Sequence, residues 1–161
     1  MYTFRPPKVH KVTPPLTLLI VGGSLFTGYM DELQALAARL GVSGKVHFTG
    51  TVDYNDLPRC IAPMDLCLIP LSPPQWVDIA LPNKYFEYSA CGKPILSTPI
   101  PDMLRMGGDH ITVYRDGQEF LEGVDEAVMN PRCCTIPIEE HAWKKKAEAF
   151  ERIFTRLTGK T

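Results

Sequence analysis

The sequence lacks both an excess of charge and a long apolar run. Its 17 basic and 18 acidic residues leave a formal net charge of −1, so the chain has no basic field of the kind that nucleic-acid-binding domains carry. No apolar stretch approaches the roughly 20 residues of a membrane span, and the first residues lack the apolar core of a secretory signal peptide. We therefore expect a globular domain of 161 residues that has no nucleic-acid partner.

The five cysteines follow no metal-binding or disulfide spacing. Cys60, Cys67 and Cys91 have apolar neighbours in the sequence, which is typical of small core residues. Cys133 and Cys134 are adjacent rather than two residues apart, and no second pair completes a zinc site. We expect no metal site and a reducing, cytoplasmic location.

Apolar runs alternate with amphipathic segments along most of the chain. Strands are predicted at residues 16–21, 45–48, 65–69, 94–97 and 111–114, the first of them buried on both faces. Helices are predicted at residues 31–40, 53–61, 82–91, 102–106, 116–129 and 139–157. Residues 1–16, with four prolines and a few bases, are predicted to be an irregular segment. Residues 17–161 are predicted to form an α/β fold with a doubly wound parallel sheet, in three α/β/α layers.

The most informative stretch is residues 82–97, which is predicted to form a short helix, a turn that ends the helix, and a buried strand. Pro82 suits the first helical position, and Gly92 suits the left-handed position just past the helix end. Lys84 and Glu87 share a face of the first turns. A helix N-terminus attracts phosphate, and the Glu87 carboxylate could accept two ribose hydroxyls beside it. Two interpretations stay open: part of a nucleotide site, or a surface ion pair between Lys84 and Glu87.

Two loops lie where ligands commonly bind in open α/β sheets. Gly22-Gly23-Ser24 follows the first predicted strand, although it is not a GxGxxG motif and could be a simple turn. Residues 71–81 follow the third strand and precede the helix that bears Glu87. Trp76 in this loop could cover a ligand or pack on a partner domain.

These stretches resemble the C-terminal, nucleotide-sugar-binding, Rossmann-like domain of a GT-B-fold glycosyltransferase, of family 4 or group 1 type. The most specific similarity is Pro82–Tyr88 followed by Ala90–Ile95. The similarity extends to further stretches, so that it covers about residues 17–158: Leu18–Gly23, Lys45–Val52, Leu57–Pro70 and the closing helix at Trp143–Leu157.

The resemblance implies roles for particular residues. Glu87 matches the second acid of the family's E-x7-E pattern, which binds the ribose hydroxyls of the sugar donor. The backbone at Leu81, Pro82 and Asn83 would meet the donor diphosphate, and Lys84 would add positive charge. The remaining donor contacts implied are Gly22 and Gly23, at the cleft, and Val52, near the base. The implied donor is a UDP-linked sugar, with no metal or other cofactor.

The sequence departs from the family pattern in two places. Ile79 stands where the first acid is usual, and Asp78, one position away, could take over the sugar contact. The family's Arg- and Lys-bearing loop has no convincing copy before Leu16, so we expect either that Arg5–Lys11 is a degenerate remnant of it or that the chain was cut after it. The resemblance also implies an N-terminal acceptor domain that this chain lacks, so we expect the chain alone to bind weakly and to catalyse little.

The implied role is surface polysaccharide or glycolipid synthesis in the cytoplasm, with peripheral contact at the inner membrane face through the full-length enzyme. Three alternatives remain open at this stage. They are a GT-B-fold sugar-nucleotide epimerase, a non-catalytic nucleotide-sugar-binding or interaction module, and an unrelated flavodoxin-like domain. The last would need an acidic phosphoacceptor or flavin-binding loops after the early strands, and Gly22-Gly23-Ser24 offers no acid. No catalytic residue can be named from the sequence.

Overall fold

A computed structural model of the chain describes residues 15–23, 28–71, 81–135 and 137–159. The strands are β1 (Leu18–Ile20), β2 (Val46–Phe48), β3 (Cys67–Ile69), β4 (Ile95–Ser97) and β5 (Ile111–Val113). The α-helices are α1 (Tyr29–Arg39), α2 (Leu57–Ile61), α3 (Asn83–Ala90), α4 (Pro101–Met106), α5 (Gly117–Met129) and α6 (Trp143–Thr158). Short 3₁₀ turns occur at Ser43–Lys45, Tyr54–Asp56 and Ile138–His141. The described residues divide into two compact units, 15–63 and 64–159.

In the unit of residues 15–63, β1 and β2 form a parallel pair, with Leu18 opposite Val46 and Ile20 opposite Phe48. The prediction that the first strand is buried on both faces is wrong, because Leu18 is 42% exposed. A short apolar run identifies a strand, but it does not say how many of its faces are covered. His47 is exposed between its two half-buried neighbours, as the alternation in this strand predicts.

In the unit of residues 64–159, the strands pair in parallel in the order β3-β4-β5. The central strand β4 is buried along its whole length, as expected for a strand covered on both faces. Beside it lies a core of fully buried side chains from the strands, α3, α4 and the β4–α4 connection: Ile69, Tyr85, Ile95, Ile100 and Met103. This core holds α3 against the sheet.

Helix α6 has the apolar side that the sequence predicts, but that side is exposed. It follows the 3₁₀ turn Ile138–His141 after one intervening residue, and its large apolar residues face outward: Trp143 (89% exposed), Phe150, Ile153, Phe154 and Leu157. An exposed apolar stripe of this length is typical of a surface that another molecule or domain covers. Among the described helices, none is both long and apolar enough to cross a membrane.

Candidate functional site

Helix α3 begins directly after Pro82, at the carboxyl edge of the sheet. Pro82 is the N-cap residue, with ψ 137°, and its carbonyl accepts a hydrogen bond from the Tyr85 N–H at 3.0 Å. The prediction that Pro82 is the first helical residue is therefore wrong by one position. Proline has no side-chain acceptor for a cap, and no described residue accepts a hydrogen bond from the backbone N–H of Asn83 or Lys84. These two N–H groups, at the positive end of the helix dipole, are available to an anion.

Glu87 lies one turn further along α3 and is half-buried, whereas Lys84 is exposed. Both side chains belong to the described part of the chain, and no ion pair joins them. The interpretation of these residues as a surface ion pair is therefore wrong. A half-buried carboxylate that Lys84 does not neutralise remains available as an acceptor for a ligand's hydroxyl groups.

The end of α3 is fixed by a glycine turn, as the sequence predicts. Gly92 has φ +70°, and its N–H donates to the Ser89 carbonyl at 2.9 Å. The Lys93 N–H donates to the Tyr88 carbonyl at 3.0 Å, which completes a Schellman motif. The helix is therefore held to eight residues, and the chain turns directly into β4.

The inner face of α3 carries polar groups that the sequence did not reveal. The Ser89 Oγ and the His110 Nε2 are 2.9 Å apart in a buried hydrogen bond. The Tyr85 hydroxyl donates to the Gly107 carbonyl at 3.4 Å. Burial lowers the pKa of His110, and Asp109 opposes this effect more weakly, so the imidazole is neutral at pH 7. Ser89 and His110 are 21 residues apart in the sequence, and no local pattern links them.

The edge of the sheet near α3 is held by hydroxyl groups. The Ser97 Oγ lies 2.8 Å from the Thr98 carbonyl and 3.2 Å from the Ile69 carbonyl, so its single proton is shared between these two acceptors. The Thr98 Oγ1 donates to the Leu71 carbonyl at 2.7 Å and fixes the chain just after β3. The sugar contact predicted for Asp78 and Ile79 lies outside the described residues, and so does Trp76; those expectations stay predictions.

In the unit of residues 15–63, the structure brings the glycine turn against the loop that follows β2. The Gly22 N–H donates to the Gly50 carbonyl at 3.0 Å, and Gly22 has φ +126°, which favours glycine. A Cβ on Gly23 would lie only 2.7 Å from the Thr51 Oγ1. Val52 follows in the same loop and is half-buried. Gly22 and Gly23, which the resemblance assigned to donor binding, therefore lie beside Gly50 and Thr51, and Val52, assigned with them, is the next residue of that loop.

Metal or thiol chemistry would need a cluster of metal-binding side chains or a reactive thiol, such as that of Cys67, among the described residues. None of them form a group of three or more His, Cys, Asp or Glu side chains that could hold a metal ion. Burial raises the pKa of the Cys67 thiol to about 12, so that thiol stays protonated and unreactive at neutral pH. Cys67 is therefore a core residue, as its apolar surroundings in the sequence predict.

A family profile and two relatives all match this chain to glycosyltransferases. The profile described as Glycosyl transferases group 1 matches residues 5–130. A GDP-mannose-dependent alpha-(1-6)-phosphatidylinositol monomannoside mannosyltransferase of Mycolicibacterium smegmatis is 33% identical over 123 residues, covering 74% of this chain and 30% of that protein. The putative teichuronic acid biosynthesis glycosyltransferase TuaH of Bacillus subtilis is 28% identical over 109 residues, covering 68% of this chain and 26% of that protein. The chain thus spans about a quarter to a third of the length of these relatives.

Two solved structures share the fold. The crystal structure of Anabaena Alr3699/HepE in complex with UDP matches with a TM-score of 0.59 and 24% identity, over 72% of this chain and 32% of that one. The crystal structure of AviGT4, a glycosyltransferase involved in Avilamycin A biosynthesis, matches with a TM-score of 0.59 and 15% identity, over 90% of this chain and 44% of that one. The parallel α/β architecture is the Rossmann-like fold of GT-B glycosyltransferases. Because the family profile covers most of the sequence, the chain belongs to the group 1 glycosyl transferases.

Proposed function

We propose that the chain is the part of a glycosyltransferase that binds the sugar donor, a nucleoside-diphosphate sugar. One observation carries the proposal: α3 presents two backbone N–H groups without a described acceptor, at Asn83 and Lys84, one turn ahead of the half-buried Glu87 carboxylate. This arrangement offers hydrogen-bond donors to a diphosphate and an acceptor to a ribose on one helix. The family match independently supports glycosyl transfer as the reaction class.

The dimensions of α3 suit a ribose diphosphate. Glu87 follows Asn83 by four positions, which corresponds to about 6 Å along the helix axis. Helical side chains also tilt toward the N-terminus, which brings the carboxylate nearer to the N–H groups. In the transfer reaction, negative charge develops on the departing diphosphate, and fixed N–H dipoles stabilise it without any rearrangement. The exposed Lys84 ammonium adds positive charge at the same end of the helix.

The nucleotide base and the remaining donor contacts are part of the proposal. A uridine donor is favoured by the likeness to a structure solved with UDP, whereas the mannosyltransferase relative is named for GDP-mannose. We take UDP as the first candidate and GDP as its competitor. Gly22, Gly23 and Val52 are proposed to contact the donor, and Asp78 or Ile79 to lie near its sugar.

Transfer itself is proposed to need an acceptor-binding domain beyond this chain. The chain spans only about a quarter to a third of the relatives it matches. The exposed apolar side of α6 is a surface that such a domain would cover. We propose synthesis of a surface polysaccharide or glycolipid in the cytoplasm, with any contact to the inner membrane face made through the full-length enzyme. The isolated chain is expected to show no turnover.

Calorimetric titration of the chain with UDP, GDP and ADP tests the proposal. We expect saturable binding of one nucleotide, and Glu87→Ala should weaken it by roughly ten- to a hundredfold, because hydrogen bonds to a charged acceptor contribute about 1.5–3 kcal/mol. Glu151→Ala, which removes an exposed carboxylate of α6, is the matched control and should bind like the parent. Binding of no nucleotide, or equal binding by the parent and Glu87→Ala, would contradict the proposal. Product analysis on the full-length enzyme then separates transfer from epimerisation.

A further inference from the structure

Helix α3 has a buried polar contact that the proposed donor site does not use. Ser89 and His110 form a 2.9 Å hydrogen bond, and His110 is only 2% exposed. Ser89 follows Tyr85 by four residues, so both lie on the inner face of α3. Tyr85 is fully buried, and its ring lies 6.3 Å from the imidazole of His110. The inner face of the helix is therefore anchored to residues 107–110, which connect α4 to β5.

The histidine is an unusual choice for this buried position. Its Nδ1 atom is buried and has no hydrogen-bond partner among the described residues. An orphaned N–H is rarer in proteins than an orphaned acceptor, so we assign the hydrogen to Nε2, which donates to the Ser89 hydroxyl. An apolar residue would avoid burying the second nitrogen. The directional bond to Ser89 is the contact that an apolar residue at position 110 could not supply.

We propose that Ser89 and His110 are positioning residues, which fix the rotation of α3 about its axis and thereby aim the Glu87 carboxylate at the ribose of the sugar donor. The proposal rests on the proposed function. Glu87 lies two residues from both Tyr85 and Ser89, and therefore on the opposite side of the helix. Apolar packing around Tyr85 is non-directional. The hydrogen bond from the Tyr85 hydroxyl to the Gly107 carbonyl is long, at 3.4 Å, so these two contacts alone restrict rotation of the helix only loosely. The hydrogen bond at 2.9 Å is directional and restricts that rotation.

A small rotation is enough to matter. A group about 5 Å from the helix axis moves by about 2 Å when the helix turns through about 20°. A hydrogen bond weakens steeply over such a displacement, because its useful range spans only about half an ångström. The hydrogen bond on the inner face therefore controls whether the carboxylate on the outer face can reach both ribose hydroxyls.

The experiment compares four variants of the whole chain with the parent, using UDP as the probe. His110→Gln keeps a polar group near the position of Nε2 and should retain the bond to Ser89. His110→Asn has a shorter side chain and cannot reach Ser89, and Ser89→Ala removes the other partner. Val124→Ala is the stability control, because it truncates a buried side chain of α5 that lies outside the core around Tyr85. Each variant is measured for UDP affinity, for its urea midpoint and for hydrogen exchange of the α3 amides.

We expect His110→Asn and Ser89→Ala to weaken UDP binding by roughly 3- to 30-fold and to accelerate amide exchange in α3. His110→Gln should stay within about twofold of the parent, and Val124→Ala should lower the urea midpoint without changing either local readout. Equal losses in His110→Asn and Val124→Ala would overturn the proposal, since the pair would then be merely structural. If the parent does not bind UDP, the proposed donor site fails for UDP, and hydrogen exchange alone decides the positioning role. Unchanged α3 exchange in both His110→Asn and Ser89→Ala would then refute it.

Discussion

Gly123 in α5 is predicted to resist replacement by alanine, although alanine is the better helix former. Alanine in a helix interior gains about 1 kcal/mol over glycine. At this position, however, a new Cβ would lie 2.6 Å from the Leu96 Cδ1 and 3.5 Å from the Thr112 Cγ2. Leu96 is fully buried in β4, so it has little room to move, and overpacking of this kind costs about 1–3 kcal/mol. Gly123→Ala should therefore fail to stabilise the chain and should lower the free energy of unfolding by up to about 2 kcal/mol, once the helix gain is subtracted.

Urea denaturation of four proteins measures this balance: the parent, Gly123→Ala, Leu96→Val and the double variant. Leu96→Val removes the δ-carbons that the new Cβ would meet, and it should cost about 1 kcal/mol alone. The loss of unfolding free energy in the double variant should be smaller than the sum of the losses in the two single variants, by about 1 kcal/mol or more. Gly117→Ala, at a glycine of the same helix with open space around it, is the control and should be neutral or slightly stabilising. If Gly123→Ala stabilised the chain and the cycle showed no coupling, close packing of α5 on β4 would be refuted.

Three further outcomes are expected. Asp116→Ala should lower the free energy of unfolding by about 1 kcal/mol in urea, because the Asp116 carboxylate accepts from two amides at the start of α5, both at 2.9 Å. Because the pKa of His110 is lowered in the folded chain, the unfolded chain binds a proton at a higher pH than the folded chain. The free energy of unfolding should therefore fall as the pH drops below about 6.5. His110→Gln should flatten this part of the profile of urea midpoint against pH. The exposed apolar side of α6 predicts that the chain self-associates in sedimentation experiments. Phe150→Glu combined with Phe154→Glu should make it monomeric, and unchanged association would contradict that prediction.

The order of strands and helices could be predicted because each element carries its own local signal. Alternating polarity in β2 identified the strand and the outward direction of His47, and Gly92 marked the end of α3. The five strands and six α-helices found among the described residues lie within a few residues of their predicted positions. Such signals arise from the geometry of the backbone itself, and one sequence is enough to reveal them.

Two of the errors have different causes, one in distant residues and one in an ambiguity of local geometry. The burial of β1 depends on what covers it, and the exposed Leu18 shows that an apolar run does not determine this. Pro82 has a fixed φ, which suits both the N-cap and the first helical position, so its placement had to come from the structure.

The candidate site could be predicted only in part, for the first of these reasons. Asn83, Lys84 and Glu87 lie on one helix, and helical spacing related them in advance. Ser89 and His110 belong to elements that only tertiary packing brings together, so no spacing rule could pair them. Polar residues on the inner face of a helix are hard to predict from a sequence as site residues, because most inner-face positions are filled by apolar residues.

The central claim is that the start of α3 binds the diphosphate of the sugar donor while Glu87 binds its ribose. The most direct test is a ¹⁵N NMR titration of the chain that follows the amides of Asn83 and Lys84. With UDP, both amide resonances should shift in a saturable manner, as expected when an N–H donates to a phosphate oxygen. Uridine, which lacks the diphosphate, should leave both unshifted, and Glu87→Ala should weaken the response to UDP. The account would be contradicted if UDP saturated its site while the amides of Asn83 and Lys84 stayed unchanged, or if UDP, GDP and ADP all left them unchanged.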